Sequence, residues 1–526
     1  MPNHGDLPDL AAMVLQPGFE GTTVPDWVRR WLAEDGLGGV ALFARNVETP
    51  AQVAALTAQL RAERPDVIVA IDEEAGDVTR FESRYGSSRP GNLGLGAVDD
   101  DELTAAVARD LGLDLAHAGI TLDYAPDTDV NSNPDNPIIG VRAFGAEPEL
   151  VARHGSAWIR GLQEAGVAAC AKHFPGHGDT AVDSHHDVPL IDRSRAALEE
   201  CELIPFRAAI AAGVQSIMTG HLLVPAFDPD LPATLSRRIL HGLLREELGF
   251  EGLIVTDGIE MQGVSRKYGI EGATVRAIAA GADAICVGGG HADELTATRL
   301  RDALVAAVRS GELPEARLRD AAARVRKLAA WTQETQVAIG ARAVADIAGA
   351  TPPDLAVIGG SVVGQAAARR AVKVTESVDA PELPLTAPPH VVEFAPARNI
   401  AIGAETPWGV GAPLNTLLPG TTSLRLSADD LAGVTDPASA VLAGVGARPL
   451  VLVVRDAHRH PWIADALHRT LSVRPDAIVV EMGVPVVVAG GVHLATYGAT
   501  RACGQAAAEL IAGTTVPHPS YQALAA

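Results

Sequence analysis

The residues from Lys172 to Pro189 read KHFPGHGDTAVDSHHDVP, with four histidines and three aspartates in 18 positions. Glycine and proline interrupt regular structure here, so these side chains are expected on a loop. Three chemistries stay open for it. A solvated polar loop needs no further role. A metal site would use the imidazoles and carboxylates as ligands, but the sequence holds no His-Glu-x-x-His pattern and no helical pair of histidines to converge on one ion. An acid–base loop would use Asp183 and His185, the carboxylate hydrogen-bonding the imidazole, fixing its tautomer and raising its proton affinity. The second segment that could do chemistry is GFEGLIVTDGIEM, residues 249–261. It puts Asp257 at the tip of an apolar strand, just before Gly258. A carboxylate there either caps the following helix or attacks an electrophilic carbon.

Both segments need a frame to position them. Short apolar, β-branched runs recur along the first part of the chain: GGVALF, VIVAID ending at Asp72, ITLDYAP around Asp123 and VAACAKH ending at His173. VQSIMTGH ending at His221, GLIVTD ending at Asp257 and DAICVGG around Ile285 complete the set. They read as buried parallel strands. Helical stretches separate them, among them AQVAALTAQLRAE, DELTAAVARDLGLDLAHAG and SRRILHGLLREELG, the last with Ser236 as N-cap and Gly249 as stop. Seven strand–helix units, with AMVLQPG near the start as a candidate eighth, indicate a (β/α)8 TIM-like barrel over residues 1–335. Polar residues stand where the strand runs end: Asp72, Asp123, Lys172, His173, His221 and Asp257. In a barrel those ends share one face, so the six are expected to line one site.

After RLRDAAARVRKLAAW (317–331) the composition changes. Residues 336–352 read as a helical linker, and 353–526 as a smaller C-terminal α/β sandwich domain with strands HVVEFA, PLVLVVRD and AIVVEMG. Arg455, Asp456 and His458 follow one of these strands; they read as a surface turn, with a place facing the cleft as the alternative. GGSVVG (359–364) fits neither the dinucleotide nor the phosphate-loop spacing.

The 526 residues carry a formal charge of −23, with 47% hydrophobic and 20% charged residues. Such a chain buries real cores, and its charge disfavours nucleic acid and anionic membrane as partners. The four cysteines are scattered without a CxxC pair, as in a reduced cytoplasmic protein. Cys170 and Cys286 lie in apolar runs and are expected in the core. The N-terminal MPNHGDLPDLAAMVLQPGF has no basic stretch followed by a long apolar one, which also points to the cytoplasm.

The segments IDEEAGDVTRF (71–81), IIGVRAFG (138–145), KHFPGHGDTAVDSHHDVP (172–189), MTGHL (218–222), PATLSRRILHGLLREELGFEGLIVTDGIEM (232–261) and GADAICVG (281–288) follow one another through residues 10–330. Together they resemble glycoside hydrolase family 3, in its β-N-acetylglucosaminidase branch, of which some members carry a second domain. The resemblance implies that Asp257 is the nucleophile and His185 the acid/base, with Asp183 as its partner. It implies that Asp72, Arg80, Arg142, Lys172 and His173 hold the N-acetylglucosaminyl ring, that His177 orders the loop, and that no metal or cofactor takes part. One segment departs from the family pattern Asp-Gln-Glu-Gly-Gly-Arg-Val-x-Arg. It reads Asp72-Glu73-Glu74-Ala75-Gly76-Asp77-Val78-Thr79-Arg80, so a glycine has become Ala75 and an arginine Asp77.

The expected activity is that of a retaining β-N-acetylhexosaminidase, releasing N-acetylglucosamine from small muropeptide- or chitin-derived sugars, as in cell wall recycling. Because a neutral imidazole does not repel an incoming anion, inorganic phosphate is a candidate second substrate, and N-acetyl-β-glucosaminide phosphorolysis is the alternative. A non-catalytic sugar-binding protein is the third reading.

Overall fold

The computed structural model describes residues 7–180, 188–346, 360–378, 380–397, 401–403 and 406–514. The chain divides into two compact units. The first comprises residues 1–74, 104–139 and 146–358, and the second residues 75–103, 140–145 and 359–526.

The first unit is built on eight short parallel strands: β1 (Leu15–Pro17), β2 (Gly39–Leu42), β3 (Ile68–Ile71), β4 (Leu122–Asp123), β5 (Ala168–Phe174), β6 (Ser216–Thr219), β7 (Leu253–Thr256) and β8 (Ile285–Val287). Strands β2 to β7 pair in chain order, and β1 pairs with β8. A parallel bridge between Val255 and Ala284 joins β7 to β8, continuing the curl toward a closed (β/α)8 barrel. All seven expected strands are present, and the candidate eighth near the start of the chain is β1. Every residue in them is buried, which is why they read as continuous apolar runs rather than alternating ones. Cys170 and Cys286 are buried as expected.

The helices follow their sequence signals. Thr49 caps Pro50–Glu63 by accepting from the Gln52 amide, and Pro50 occupies the first turn, where its missing N–H has no cost. Ser236 Oγ accepts from the Ile239 amide at 3.2 Å, and Gly249 takes a left-handed φ of +70° past the end of Arg238–Glu247. On the side of the barrel away from the strand C-termini, the buried Asp283 carboxylate is held by Arg245 and Arg317. Burial raises its pKa, and the two guanidinium groups pull it back down.

The second unit carries a six-stranded sheet in the order β11-β10-β12-β13-β14-β9. Its strands are β9 (Lys373–Glu376), β10 (His390–Phe394), β11 (Thr422–Leu426), β12 (Leu450–Val454), β13 (Ile478–Glu481) and β14 (Val492–Ala495). All pairs are parallel except the edge pair β14–β9. Alternate residues feed two cores on opposite faces: Val391, Val451, Val453 and Val480 on one, Val392, Leu452, Val454 and Val479 on the other. This is a three-layer α/β sandwich. The helix Glu315–Asp346 covers residues 317–331 and runs on into the stretch read as a helical linker. Among the described residues, no helix is long and apolar enough to cross a membrane.

Candidate active site

Strand register decides which side chains stand level. Phe174 pairs with Thr219, and Thr219 with Thr256, so β5, β6 and β7 end together. Lys172 and His173 therefore share one face of the barrel with His221 and Asp257, the residues that follow β6 and β7. Asp72, just after β3, stands on the same face.

Lys172 is almost wholly buried and lies between two carboxylates, Asp72 Oδ1 at 2.5 Å and Glu74 Oε1 at 2.6 Å. Asp72 is the more exposed of the two. Only charge-assisted hydrogen bonds make such burial of an ammonium tolerable.

His173 is fixed from behind. Its Nδ1 lies 2.7 Å from Asp129 Oδ2, while Asp129 Oδ1 accepts from the His177 amide at 2.7 Å and the His173 amide at 3.2 Å. Burial alone would raise the Asp129 carboxyl, but His173 and His177 outweigh it and hold it below its usual value. The His177 ring stands edge-on to His173, centroids 5.8 Å apart, which fits the loop-ordering role expected of it. Asp127, Asp129 and His173 bring three ligand-type atoms within 4.8 Å of one another. The His173–Asp129 separation is that of a direct hydrogen bond, which sets the direction of the ring.

Asp123, expected on the site, turns inward. It is fully buried and accepts from the Glu73 amide at 2.9 Å. Burial pushes its carboxyl well above the usual range, against the opposing Glu73 amide and Lys172. It supports the turn after β3 from below.

Asp257 is half-buried at the tip of β7. Its amide donates to Thr219 O at 3.1 Å, and its Oδ1 accepts from the Gly258 amide at 2.8 Å. The next helix begins only at Gln262, so Asp257 is not its N-cap. Beyond it, Glu260 Oε1 accepts from the amides of Gly288 and Gly289, tying the turn to the end of β8.

Arg80 and Arg142 belong to the second unit. Arg80 Nη1 donates to Ala401 O at 2.8 Å, and the Arg142 carbonyl accepts from Asn92 Nδ2 at 2.7 Å. Asp183 and His185 lie outside the described residues. The departures at Ala75 and Asp77 have physical consequences. Ala75 holds a left-handed φ of 56°, a conformation natural to the glycine of the family pattern. Asp77 is buried, pairs with Arg455 at 2.5 Å and accepts from the Ala499 amide at 2.7 Å. Arg455, stacked over Trp408, is thus an interior ion-pair partner and not part of a surface turn. The expectation failed because its partner lies 378 residues away in sequence. Glu74 and Asp129 were missed for the same reason, although IDEE and DTDV both follow strand runs and could have drawn attention.

The model of the glycosyl hydrolase family 3 N-terminal domain matches residues 13–328. The chain belongs to this family. It is 38% identical over 283 residues to β-hexosaminidase A of Pseudoalteromonas piscicida, a match covering 50% of this chain and 47% of that one. It is 40% identical over 286 residues to the β-hexosaminidase of Nitrosomonas eutropha, covering 52% of this chain and 81% of the relative. A solved family 3 β-N-acetylglucosaminidase from a Paenibacillus species superposes with a TM-score of 0.81 at 33% identity, covering 97% of both chains. The two-unit architecture is thus shared with a family 3 member along nearly its whole length.

Proposed function

We infer that this chain is a retaining β-N-acetylhexosaminidase that releases N-acetylglucosamine from small β-linked glycosides. The observation that carries this reading is Asp257 on the strand-end face of the barrel, oriented by its own turn and level with Lys172 and His173. The β-hexosaminidase relatives supply the sugar class. In this reading Asp72, braced by Lys172, accepts hydrogen bonds from sugar hydroxyls, and His173 adds a nitrogen fixed in direction by Asp129. Arg80 and Arg142 are carried as sugar-binding residues on the family pattern.

Asp257 attacks the anomeric carbon and forms a glycosyl ester as the aglycone oxygen leaves. His185, paired with Asp183, gives its proton to that oxygen and then takes one from water, which cleaves the ester with net retention. Neither step calls on a metal or cofactor. Muropeptide- and chitin-derived sugars suit the reading, as does a place in cell wall recycling. A cytoplasmic location belongs to it as well, supported by four cysteines without a disulfide.

The test is turnover of an aryl β-N-acetylglucosaminide with and without inorganic phosphate, with the sugar product and its anomer identified. Free β-N-acetylglucosamine at a phosphate-independent rate is expected. The sugar 1-phosphate, at a rate rising with phosphate, would replace hydrolysis by phosphorolysis. No turnover would leave only sugar binding.

A further inference from the structure

His221 ends the β6 run but has no part in the proton transfers above. It is almost completely buried. Its Nε2 lies 2.9 Å from the carbonyl oxygen of Gly258, the residue directly after Asp257. Its Nδ1 lies 2.8 Å from Thr234 Oγ1, which is also 3.0 Å from Thr219 Oγ1. A carbonyl oxygen can only accept, so Nε2 carries the proton. Thr234 Oγ1 also lies 3.0 Å from the Gly220 carbonyl oxygen, so its one hydroxyl proton serves either Gly220 or Nδ1. In either case the Nε2–H is aimed at the Gly258 carbonyl.

We propose that His221 is a positioning residue for the nucleophile, acting through the Gly258 carbonyl. The proposal rests on Asp257 being the nucleophile. The Gly258 amide holds Asp257 Oδ1, and the Gly258 carbonyl is held by His221 and by the Met261 amide at 3.0 Å. Glycine has no side chain to resist rotation of the peptide planes on either side of it. His221, set by β6, adds to the Met261 amide the side-chain contact that keeps Gly258 from tipping and carrying its N–H away from the carboxylate. The Ile259 amide, bonded to Cys286 O at 3.0 Å, secures the far side of the same turn. Misplacement of a reacting atom by about an ångström costs on the order of 100-fold in rate. The cost falls on attack at carbon and not on proton delivery, so it is independent of the leaving group.

The experiment compares wild type, His221→Phe and His221→Gln on aryl glycosides of graded leaving-group pKa, carrying N-acetylglucosamine, glucose or xylose. Glutamine keeps a donor toward Gly258; phenylalanine keeps only the bulk. The expected result is a fall in kcat on the order of tens of fold for His221→Phe. The fall is the same for every leaving group, the inhibition constant of N-acetylglucosamine is unchanged, and His221→Gln restores most of the rate. Should His221→Phe not fold, His221→Asn, too short to reach Gly258, serves the same comparison. A rate close to wild type overturns the proposal. So does a loss that grows with leaving-group pKa, which would mean proton transfer, or a parallel loss of N-acetylglucosamine binding, which would mean a sugar contact. Wild type that cleaves only glucosides or xylosides overturns the proposed substrate but leaves the His221 comparison readable. Wild type that cleaves none overturns both.

Discussion

Lys172 is almost wholly buried, and Asp72 and Glu74 balance its charge. Replacing it with methionine would leave two carboxylates facing each other across an apolar stem. Lys172→Met is therefore expected to destabilise the first unit by about 3 kcal/mol or more, read by denaturant titration, and to weaken inhibition by N-acetylglucosamine. An unchanged midpoint would mean that the two carboxylates find other partners. Ala75 poses the opposite case. Its left-handed φ costs on the order of 1 kcal/mol, so Ala75→Gly is expected to stabilise the protein by that amount, less the added chain entropy of glycine. A loss of stability would show that the buried methyl contributes more than the strain. At this scale the sequence revealed the residues but not their partners. Asp257, Lys172 and His173 were legible because each ends an apolar run. Asp123 ends one too, and nothing local tells a side chain that turns inward from one that faces the site.

Among the elements, the loop before the Asp183–His185 pair is held by backbone contact. A methyl group at Gly178 would meet the Val130 carbonyl oxygen at 1.5 Å, closer than any side chain can stand. Asn136 Nδ2 ties the same loop through the carbonyls of His177 and Gly178, at 2.9 and 3.0 Å. Gly178→Ala must push the loop off this seat. It is expected to cost about 1–3 kcal/mol of stability and to lower kcat more than it raises KM, since the loop carries the proposed acid/base. Wild-type kinetics would show that the loop's placement does not reach the chemistry. The barrel strands were legible because burial on both faces leaves a continuous β-branched signature. In the second unit, β10, β12 and β13 were read for the same reason; β9, β11 and β14 were missed, the last a buried run of only four residues, VHLA. All of β9 and most of β11 are solvent-exposed at the two sheet edges, and KVTE and TSLRL carry no apolar run to mark them.

At the level of the whole chain, each unit titrates on its own terms. Glu481, buried at the end of β13, accepts from the amides of Gly483 at 2.7 Å and Asp456 at 2.9 Å. Burial, with the Asp456 carboxylate, raises its pKa to about 7 against the pull of those amides. A carboxyl whose folded pKa is raised contributes stability that is complete below its unfolded value. That stability is lost as pH rises through the folded one. The thermal midpoint is therefore expected to fall between about pH 5 and about pH 8, and Glu481→Gln to flatten that fall. Parallel pH profiles would contradict it. The units themselves are discontinuous in sequence, residues 75–103 and 140–145 sorting with the second, and no composition change marks those crossings. The central claim is that Asp257 forms a covalent bond to an N-acetylhexosamine. Its most direct test is to incubate the protein with a fluorinated N-acetylglucosaminyl fluoride and map the modified peptide by mass spectrometry. One sugar on Asp257 is the expected result. A sugar on another residue, or turnover of the reagent with no covalent species and an inverted product, would contradict it.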